Sequence, residues 1–213
     1  MTNIQVKGIF TEQIKSQVEF VSPHYDKLEI DYDFIKWEAT SSGKGVFTSP
    51  VWQEMVFNKV KYNVDVLKTM SENSLVIFTD MDVIPFQKYN ILKSYVDNYD
   101  ICFMAEGRRG HPVNTGFILV KNTKKSRQIF DDWYEVCKNA RKEHKIFKNQ
   151  GIFNKKVYIN YSCNINLFPR EIIARKPEFV TENTIAYHAI ACTGNNNKIK
   201  RMTRALNNYL KIK

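Results

Sequence analysis

The sequence lacks any apolar run that approaches the length of a membrane span. A transmembrane helix needs about 20 consecutive, predominantly apolar residues. The opening stretch, MTNIQVKGIF, also lacks the long apolar core of a secretory signal peptide. These absences predict a cytoplasmic protein without a membrane span.

Cysteine is scarce: the four cysteines are scattered along the chain and none forms a CxxC pair. Each lies in an apolar context, which predicts reduced thiols in the core rather than a metal or disulfide framework. Such thiols are typical of cytosolic proteins.

Positive charge is in excess, with 32 Lys and Arg against 22 Asp and Glu and a net charge of +10. A basic surface attracts nucleic acids, anionic membranes or phosphorylated small molecules. The sequence has no aromatic–basic RNA-binding motif, zinc-finger spacing or clear helix-turn-helix. We therefore expect no nucleic-acid partner, although a basic module that binds nucleic acid or glycan remains an alternative. A phosphate-bearing substrate is also compatible with the charge.

Short apolar runs alternate with amphipathic segments, and 43% of the residues are hydrophobic. Ser49 followed by Pro50 is typical of a helix start. We predict strands at 4–10, 18–21, 28–30, 75–79, 100–105, 116–120, 157–159 and 185–188, and helices that begin at Ser49 and Ser126. This alternation predicts a single α/β domain over residues 1–213, with a mostly parallel central sheet flanked by helices.

The stretch LVIFTDMDVIPF places Asp80 and Asp82 between two strongly apolar runs. Burial of an ionised carboxylate is costly unless the group is paired or binds a metal. Hard divalent cations that act on phosphates are typically held by one or two carboxylates. Ligands of parallel sheets bind beyond the carboxyl ends of the strands, where this pair would emerge. The pair therefore predicts a metal site, whereas the second pair, Asp31 and Asp33, is interpreted as a polar loop.

One enzyme class with such a carboxylate pair is the haloacid-dehalogenase-like phosphatases, in which the first Asp is the nucleophile. In that class the motif ends the first strand of the core, but here a long segment precedes Asp80. The late acidic pair of that class should lie on a loop, whereas Asp131 and Asp132 lie on a predicted helix. A phosphatase is therefore the weaker alternative.

A second class matches more of the chain. The helix SPVWQEMVFNKVKYNVDVL precedes the carboxylate pair, and VNTGFILVKN and NQGIFN follow it. In this order, over residues 48–200, the motifs resemble the GT-A glycosyltransferases that use nucleotide-diphosphate sugars. The pattern is similar to small, retaining-type families, including chlorovirus-encoded glycosyltransferase domains.

The resemblance implies one Rossmann-like GT-A domain with a nucleotide-binding part at about 1–105 and a sugar and acceptor part at about 106–198. This domain would be a monomer or one domain of a longer chain. The implied activity is transfer of a hexose or deoxyhexose from a UDP-sugar to a glycan acceptor, with retention of configuration. The implied cofactor is Mn²⁺, with Mg²⁺ as the alternative. If the chain is viral, its location would be the host cytoplasm.

The resemblance also assigns roles to residues around the donor. The metal would be held by Asp80, Asp82 and His188, unless His188 is an ordinary core histidine. The other donor-binding candidates are Phe10 and Thr11 for the base and ribose, Met81 beside the ribose, and Lys198 at the diphosphate, with Lys200 and Arg201 as alternatives to Lys198.

Four further candidates concern the transferred sugar. Asn114, in VNTGF, would face the sugar, or it forms an ordinary turn. Asn149 and Gln150 stand where related enzymes often have Asp-Gln, which makes Asn149 a donor-binding candidate and Gln150 a catalytic one. Glu106 is the other catalytic candidate, and it would be the base if the reaction inverts. The alternative interpretation is a Glu that is simply ion-paired on the surface beside Arg108 and Arg109. Lys59 and His111 are interpreted as solvated.

Overall fold

The computed structural model describes residues 4–41, 49–143, 148–190 and 192–213. The strands are β1 (Ile4–Phe10), β2 (Tyr32–Lys36), β3 (Leu75–Thr79), β4 (Val83–Pro85), β5 (Ile101–Arg108), β6 (His111–Lys121), β7 (Ile165–Phe168), β8 (Ile173–Ala174) and β9 (Ala186–His188). The α-helices are α1 (Lys15–Lys27), α2 (Pro50–Thr69), α3 (Lys124–Glu143), α4 (Asn149–Ile152), α5 (Tyr158–Tyr161) and α6 (Asn195–Ile212). A π-helical turn, Phe153–Val157, joins α4 to α5.

The central sheet has six strands in the order β2-β1-β3-β6-β5-β7. Strand β6 runs antiparallel to both of its neighbours, and the other pairs are parallel. The central strand β3 is buried over its full length, as expected of a strand covered on both faces. The prediction of one α/β domain with a mostly parallel sheet is confirmed.

Two apolar cores cover the two faces of this sheet. One core joins it to α1, α6 and a small second sheet of order β4-β9-β8. The other core joins it to α2 and α3, with Trp133 fully buried between them. Among the described residues, no helix is long and apolar enough to cross a membrane.

The start of α2 confirms the helix predicted at Ser49. The Ser49 hydroxyl accepts a hydrogen bond from the backbone N–H of Trp52 at 3.2 Å, and Pro50 occupies the first helical position. A serine at this position satisfies one of the N–H groups that a helix start leaves without a partner. Strands β1 and β3 also have their predicted bounds.

Three predicted strands are wrong. Residues 18–21 belong to α1, because Gln17, Val21 and Tyr25 recur at helical spacing and form its buried face. Residues 28–30 form the turn before β2. Strand β2 includes Asp33, so this member of the second acidic pair lies in a strand rather than in the predicted loop. Residues 157–159 are helical, with Val157 one turn beyond the buried Phe153.

Candidate active site

A cavity of about 1330 Å³ opens beside the ends of β1, β3 and β6. Its wall includes side chains from α2, α4, α6 and the segment after β1. The predicted site residues on this wall are Asp80, Met81, Asp82, Glu106, Asn114, Asn149, Gln150, His188 and Lys198. The fold therefore gathers most of the candidates in one place.

Asp80, Asp82 and His188 lie together in this cavity. Their candidate ligand atoms are all within 4.8 Å of one another. His188 Nε2 is 3.2 Å from Asp82 Oδ1 and 3.8 Å from Asp80 Oδ2. The small sheet sets this geometry, because Val83 of β4 pairs with His188 of β9. The backbone N–H of Ala189 also donates to the Asp82 carbonyl at 2.9 Å.

These residues fit a divalent metal. Asp82 and His188 are buried, and His188 Nδ1 has no hydrogen-bond partner among the described residues. Gly116 leaves room for the cluster, since a Cβ there would clash with the His188 ring and lie 2.8 Å from Asp80 Oδ2. Two carboxylates and an imidazole suit Mn²⁺ better than Ca²⁺, which takes oxygen ligands.

Each carboxylate of the pair also faces a lysine. Lys59 Nζ lies 2.6 Å from Asp80 Oδ1, and Lys198 Nζ lies 2.6 Å from Asp82 Oδ2. Burial raises the pKa of Asp82, but the charges of Lys198 and His188 outweigh it and hold that pKa well below its usual range. Burial lowers the pKa of Lys198, but Asp82 outweighs it and the pKa is raised. Asp82 is therefore ionised at neutral pH, the form that binds a metal.

Lys59 was missed by sequence reasoning, which placed it in solvent. Its side chain is 12% exposed, and it also donates to the Thr115 carbonyl at 2.8 Å. Its position gave a signal, because it stands three residues after Val56 and next to Val60 on the apolar stripe of α2.

Glu106 is buried and paired within the cavity. Asn114 donates from Nδ2 to Glu106 Oε2 at 2.7 Å, and Arg175 Nη2 lies 3.3 Å from Glu106 Oε1. Asn114 Oδ1 accepts from the backbone N–H of Gly116 at 2.8 Å, which ties this group to the metal-ligand cluster. Of the two neighbours expected to pair with Glu106, Arg108 lies 3.9 Å from its Oε1, but the carboxylate itself is buried rather than at the surface. Its main partner, Arg175, is distant in sequence and carried no signal.

Asn149 and Gln150 stand at the start of α4. Asn149 donates from Nδ2 to the Val56 carbonyl at 3.3 Å and accepts from the backbone N–H of Gln150 at 2.8 Å. Gln150 Oε1 accepts from the backbone N–H of Thr115 at 3.3 Å. These bonds join α4 to α2 and β6, so both amides have fixed positions on the cavity wall.

The end of β1 contributes different side chains from those predicted. Phe10 and Thr11 make backbone hydrogen bonds to Trp37 and Ile14 at 2.7 and 3.0 Å. Their neighbours Ile9, Gln13 and Gln17 form the wall of the cavity beside Met81. Nothing in the pattern distinguished the two glutamines from ordinary polar residues.

Helix α6 brings Lys198 to Asp82. The Asn-rich segment TGNNNK leads into this helix, since α6 begins at Asn195, after Gly194 with a φ of 81°. Gln17 Nε2 donates to Asn195 Oδ1 at 2.6 Å and so fastens α6 to α1. Of the basic alternatives, Lys200 also lines the cavity, whereas Arg201 donates to the Ile190 carbonyl at 2.7 Å.

Residues 15–202 match the family model described as nucleotide-diphospho-sugar transferase. The chain belongs to this family. A relative from Arabidopsis thaliana, the uncharacterized protein At1g28695, is 30% identical over an alignment of 125 residues that covers 53% of this chain and 35% of the relative. The chain thus spans about a third of that relative's length.

The fold is that of GT-A-like glycosyltransferases. A glycosyltransferase involved in glycosylation of the major capsid of PBCV-1 superimposes with a TM-score of 0.67 at 13% identity, over 94% of this chain and 98% of that one. The galactosyltransferase LgtC, solved with donor and acceptor sugar analogs, gives 0.62 at 10% identity, over 98% and 96%. GlyE of Streptococcus pneumoniae TIGR4 gives 0.61 at 11% identity, over 99% and 64%. Family and fold favour the sugar transferase over the phosphatase and the basic binding module.

Proposed function

We propose that this chain is a metal-dependent glycosyltransferase that moves a hexose or deoxyhexose from a UDP-sugar to a glycan acceptor, with retention of configuration. The observation that carries the proposal is the cluster of Asp80, Asp82 and His188 in one cavity with Lys59 and Lys198. A nucleotide-sugar donor follows from the family. The choice of uridine rests on the resemblance of the motifs.

Asp80, Asp82 and His188 would hold the metal. A bound Mn²⁺, or Mg²⁺ as the alternative, supplies Lewis-acid charge to the departing diphosphate. Lys198 can also stabilise the negative charge of the departing diphosphate. Its ammonium already lies at Asp82, and its raised pKa keeps it protonated. Lys59 can hold Asp80 in place through its second bond to the Thr115 carbonyl.

The pairing of Glu106 supports retention. Its buried carboxylate already has a partner at each oxygen, Arg175 at Oε1 and Asn114 at Oε2, and neither partner is an acceptor hydroxyl. The other carboxylates on the described cavity wall, Asp80 and Asp82, belong to the metal cluster. The leaving diphosphate oxygen can take the proton of the acceptor hydroxyl instead. The anomeric carbon then loses its bond to phosphate and gains one to the acceptor oxygen.

Donor hydrolysis tests this function without knowledge of the acceptor. The purified chain is incubated with Mn²⁺ and a panel of UDP-, GDP- and CMP-sugars, and release of the nucleotide is followed. We expect metal-dependent hydrolysis of at least one UDP-hexose or UDP-deoxyhexose. Once an acceptor is in hand, NMR of the transfer product should show the donor's anomeric configuration. Turnover that is insensitive to EDTA would contradict the proposal.

A further inference from the structure

The turn between β5 and β6 carries positive charge at the cavity. Arg108 and His111 face each other in register at the end of this hairpin, and both line the cavity. His111, interpreted from the sequence as a surface residue, is partly buried and lies on the cavity wall. Glu106, two residues before Arg108, is the only acidic residue on this part of the described wall.

Two guanidinium groups lie near that one carboxylate, and a third packs on the same hairpin. Arg175 is its near partner at 3.3 Å, and Arg108 Nε lies 3.9 Å from the same oxygen. Arg170 packs on the hairpin at Gly107, where a Cβ would clash with its guanidinium. The pKa of Arg175 is lowered, first by burial and then by the charges of Arg170 and Arg108, despite Glu106. One carboxylate thus leaves this group with a net positive charge.

The rest of the described wall cannot balance that charge. Its other acidic residues are Asp80 and Asp82, and each already faces a lysine. Arg108 has a side chain that is 78% exposed, so its charge is available to a ligand.

The hairpin is also separate from the expected diphosphate position. Gly116 marks that position on β6, because it packs against His188 and Asp80. Asn114 follows towards the hairpin, and His111 is three residues further, or about 10 Å along an extended strand. An anion held at the metal cluster is therefore not the one that Arg108 and His111 face.

We propose that the acceptor carries an anionic group, a phosphate or a carboxylate, which Arg108 and His111 bind at the β5–β6 hairpin. This inference rests on the proposed function. A guanidinium binds phosphate or carboxylate through two parallel hydrogen bonds, which favours Arg108 as the main contact. The anionic group sets the distance of the acceptor from the sugar near Asn114.

Calorimetry on the intact chain, saturated with Mn²⁺ and UDP, tests the inference. The probes are glucose 6-phosphate, glucuronate and glucose, so the arms distinguish a phosphate from a carboxylate. We expect one anionic probe to bind at least about tenfold more tightly than glucose, as one charge-assisted hydrogen bond predicts. In Arg108→Gln this preference should fall to near one. In the matched control Arg109→Gln, an exposed neighbour off the described cavity wall, the preference should remain.

Equal binding of all three probes by the wild-type chain would overturn the inference. So would a preference for an anionic probe that Arg108→Gln retains. A failure of Mn²⁺ and UDP to bind together would instead contradict the proposed function. The two failures are distinguishable because UDP binding is measured before any probe is added.

Discussion

Lys59 Nζ lies 2.6 Å from Asp80 Oδ1 and 2.8 Å from the carbonyl oxygen of Thr115. One ammonium thus joins α2, the end of β3 and the part of β6 that packs against His188. Lys59 and Lys198 place positive charge beside the two neighbouring carboxylates and so reduce their mutual repulsion. The site is therefore preformed, with its ligands already facing one another.

The first prediction concerns Lys59. Lys59→Gln should lower the free energy of unfolding in EDTA by about 1–3 kcal/mol, because Asp80 loses its partner. Mn²⁺ should restore part of this loss, so it should stabilise the variant more than the wild type. Denaturant unfolding with and without Mn²⁺ measures both effects. Lys61→Gln is the matched control, because Lys61 pairs with Asp65 at the surface and its loss should cost less than about 0.5 kcal/mol.

The second prediction concerns the carboxylate pair. Asp80→Asn or Asp82→Asn should reduce metal-dependent donor hydrolysis by at least about 100-fold, because a Lewis acid supplies several kcal/mol in the transition state. Asp31→Asn, in the exposed second pair, should leave the rate unchanged. Hydrolysis is measured at saturating Mn²⁺ with far-UV circular dichroism as a check of folding. Wild-type rates in both site variants would exclude the metal role.

The third prediction concerns Gly116. In Gly116→Ala the new methyl group would meet the His188 ring and Asp80, so these ligands must separate. We expect Mn²⁺ affinity to fall about tenfold or more, as for other displacements around metal ligands. Gly151→Ala is the control, since its nearest contact is Lys148 Cβ at 3.9 Å. Equal Mn²⁺ affinity in both variants would show that the cluster does not hold the ion.

The fourth prediction concerns pH and Glu54, which joins the N-terminal part of α2 to Thr40 and Ser41. Glu54 accepts from the backbone N–H groups of Thr40 and Ser41 at 3.1 and 2.9 Å. Burial raises its pKa, but hydrogen bonds from Ser41 and Thr40 outweigh this and lower it from 4.5 to about 2. The folded state therefore gains stability above pH 4.5 and loses it as the pH falls towards 2.

Glu54→Gln should therefore lower the free energy of unfolding at pH 7 by about 1–3 kcal/mol. The difference from the wild type should shrink as the pH falls from 4.5 to about 2. Urea unfolding at several pH values measures it. A difference that is constant over this range would contradict the role of the carboxylate.

Much of the fold could be predicted from the sequence where an apolar run and the residues at its ends indicate the same element. The apolar run of β3, bounded by Ser74 and Asp80, and the Ser49–Pro50 helix start gave the correct elements. The segment of α1 was misread because Val18 and Val21 suggest a strand locally. Its helical burial emerges only when Tyr25 packs against β4 in the folded core. Tertiary packing decides such segments, and it is not encoded in a short window.

The candidate site divides in the same way. Asp80 and Asp82 could be predicted as site residues because a pair of carboxylates is unusual directly after a buried strand. The contacts of Lys59 and Arg175 could not be predicted, because each depends on a partner tens of residues away. The place of Gln13 and Gln17 on the cavity wall was missed for a different reason, since the sequence pattern of a neutral amide does not separate a cavity wall from a solvated surface.

The most direct test of the account is calorimetry of UDP binding with and without Mn²⁺, in the wild type and in His188→Ala. We expect Mn²⁺ to tighten UDP binding in the wild type by about 5- to 150-fold, the usual range of such coupling. In His188→Ala the coupling and the Mn²⁺ affinity should both fall, because the cluster loses its nitrogen ligand. Two results would contradict this: a UDP affinity of the wild type that does not change with Mn²⁺, or an effect of Mn²⁺ on UDP affinity that is the same in His188→Ala.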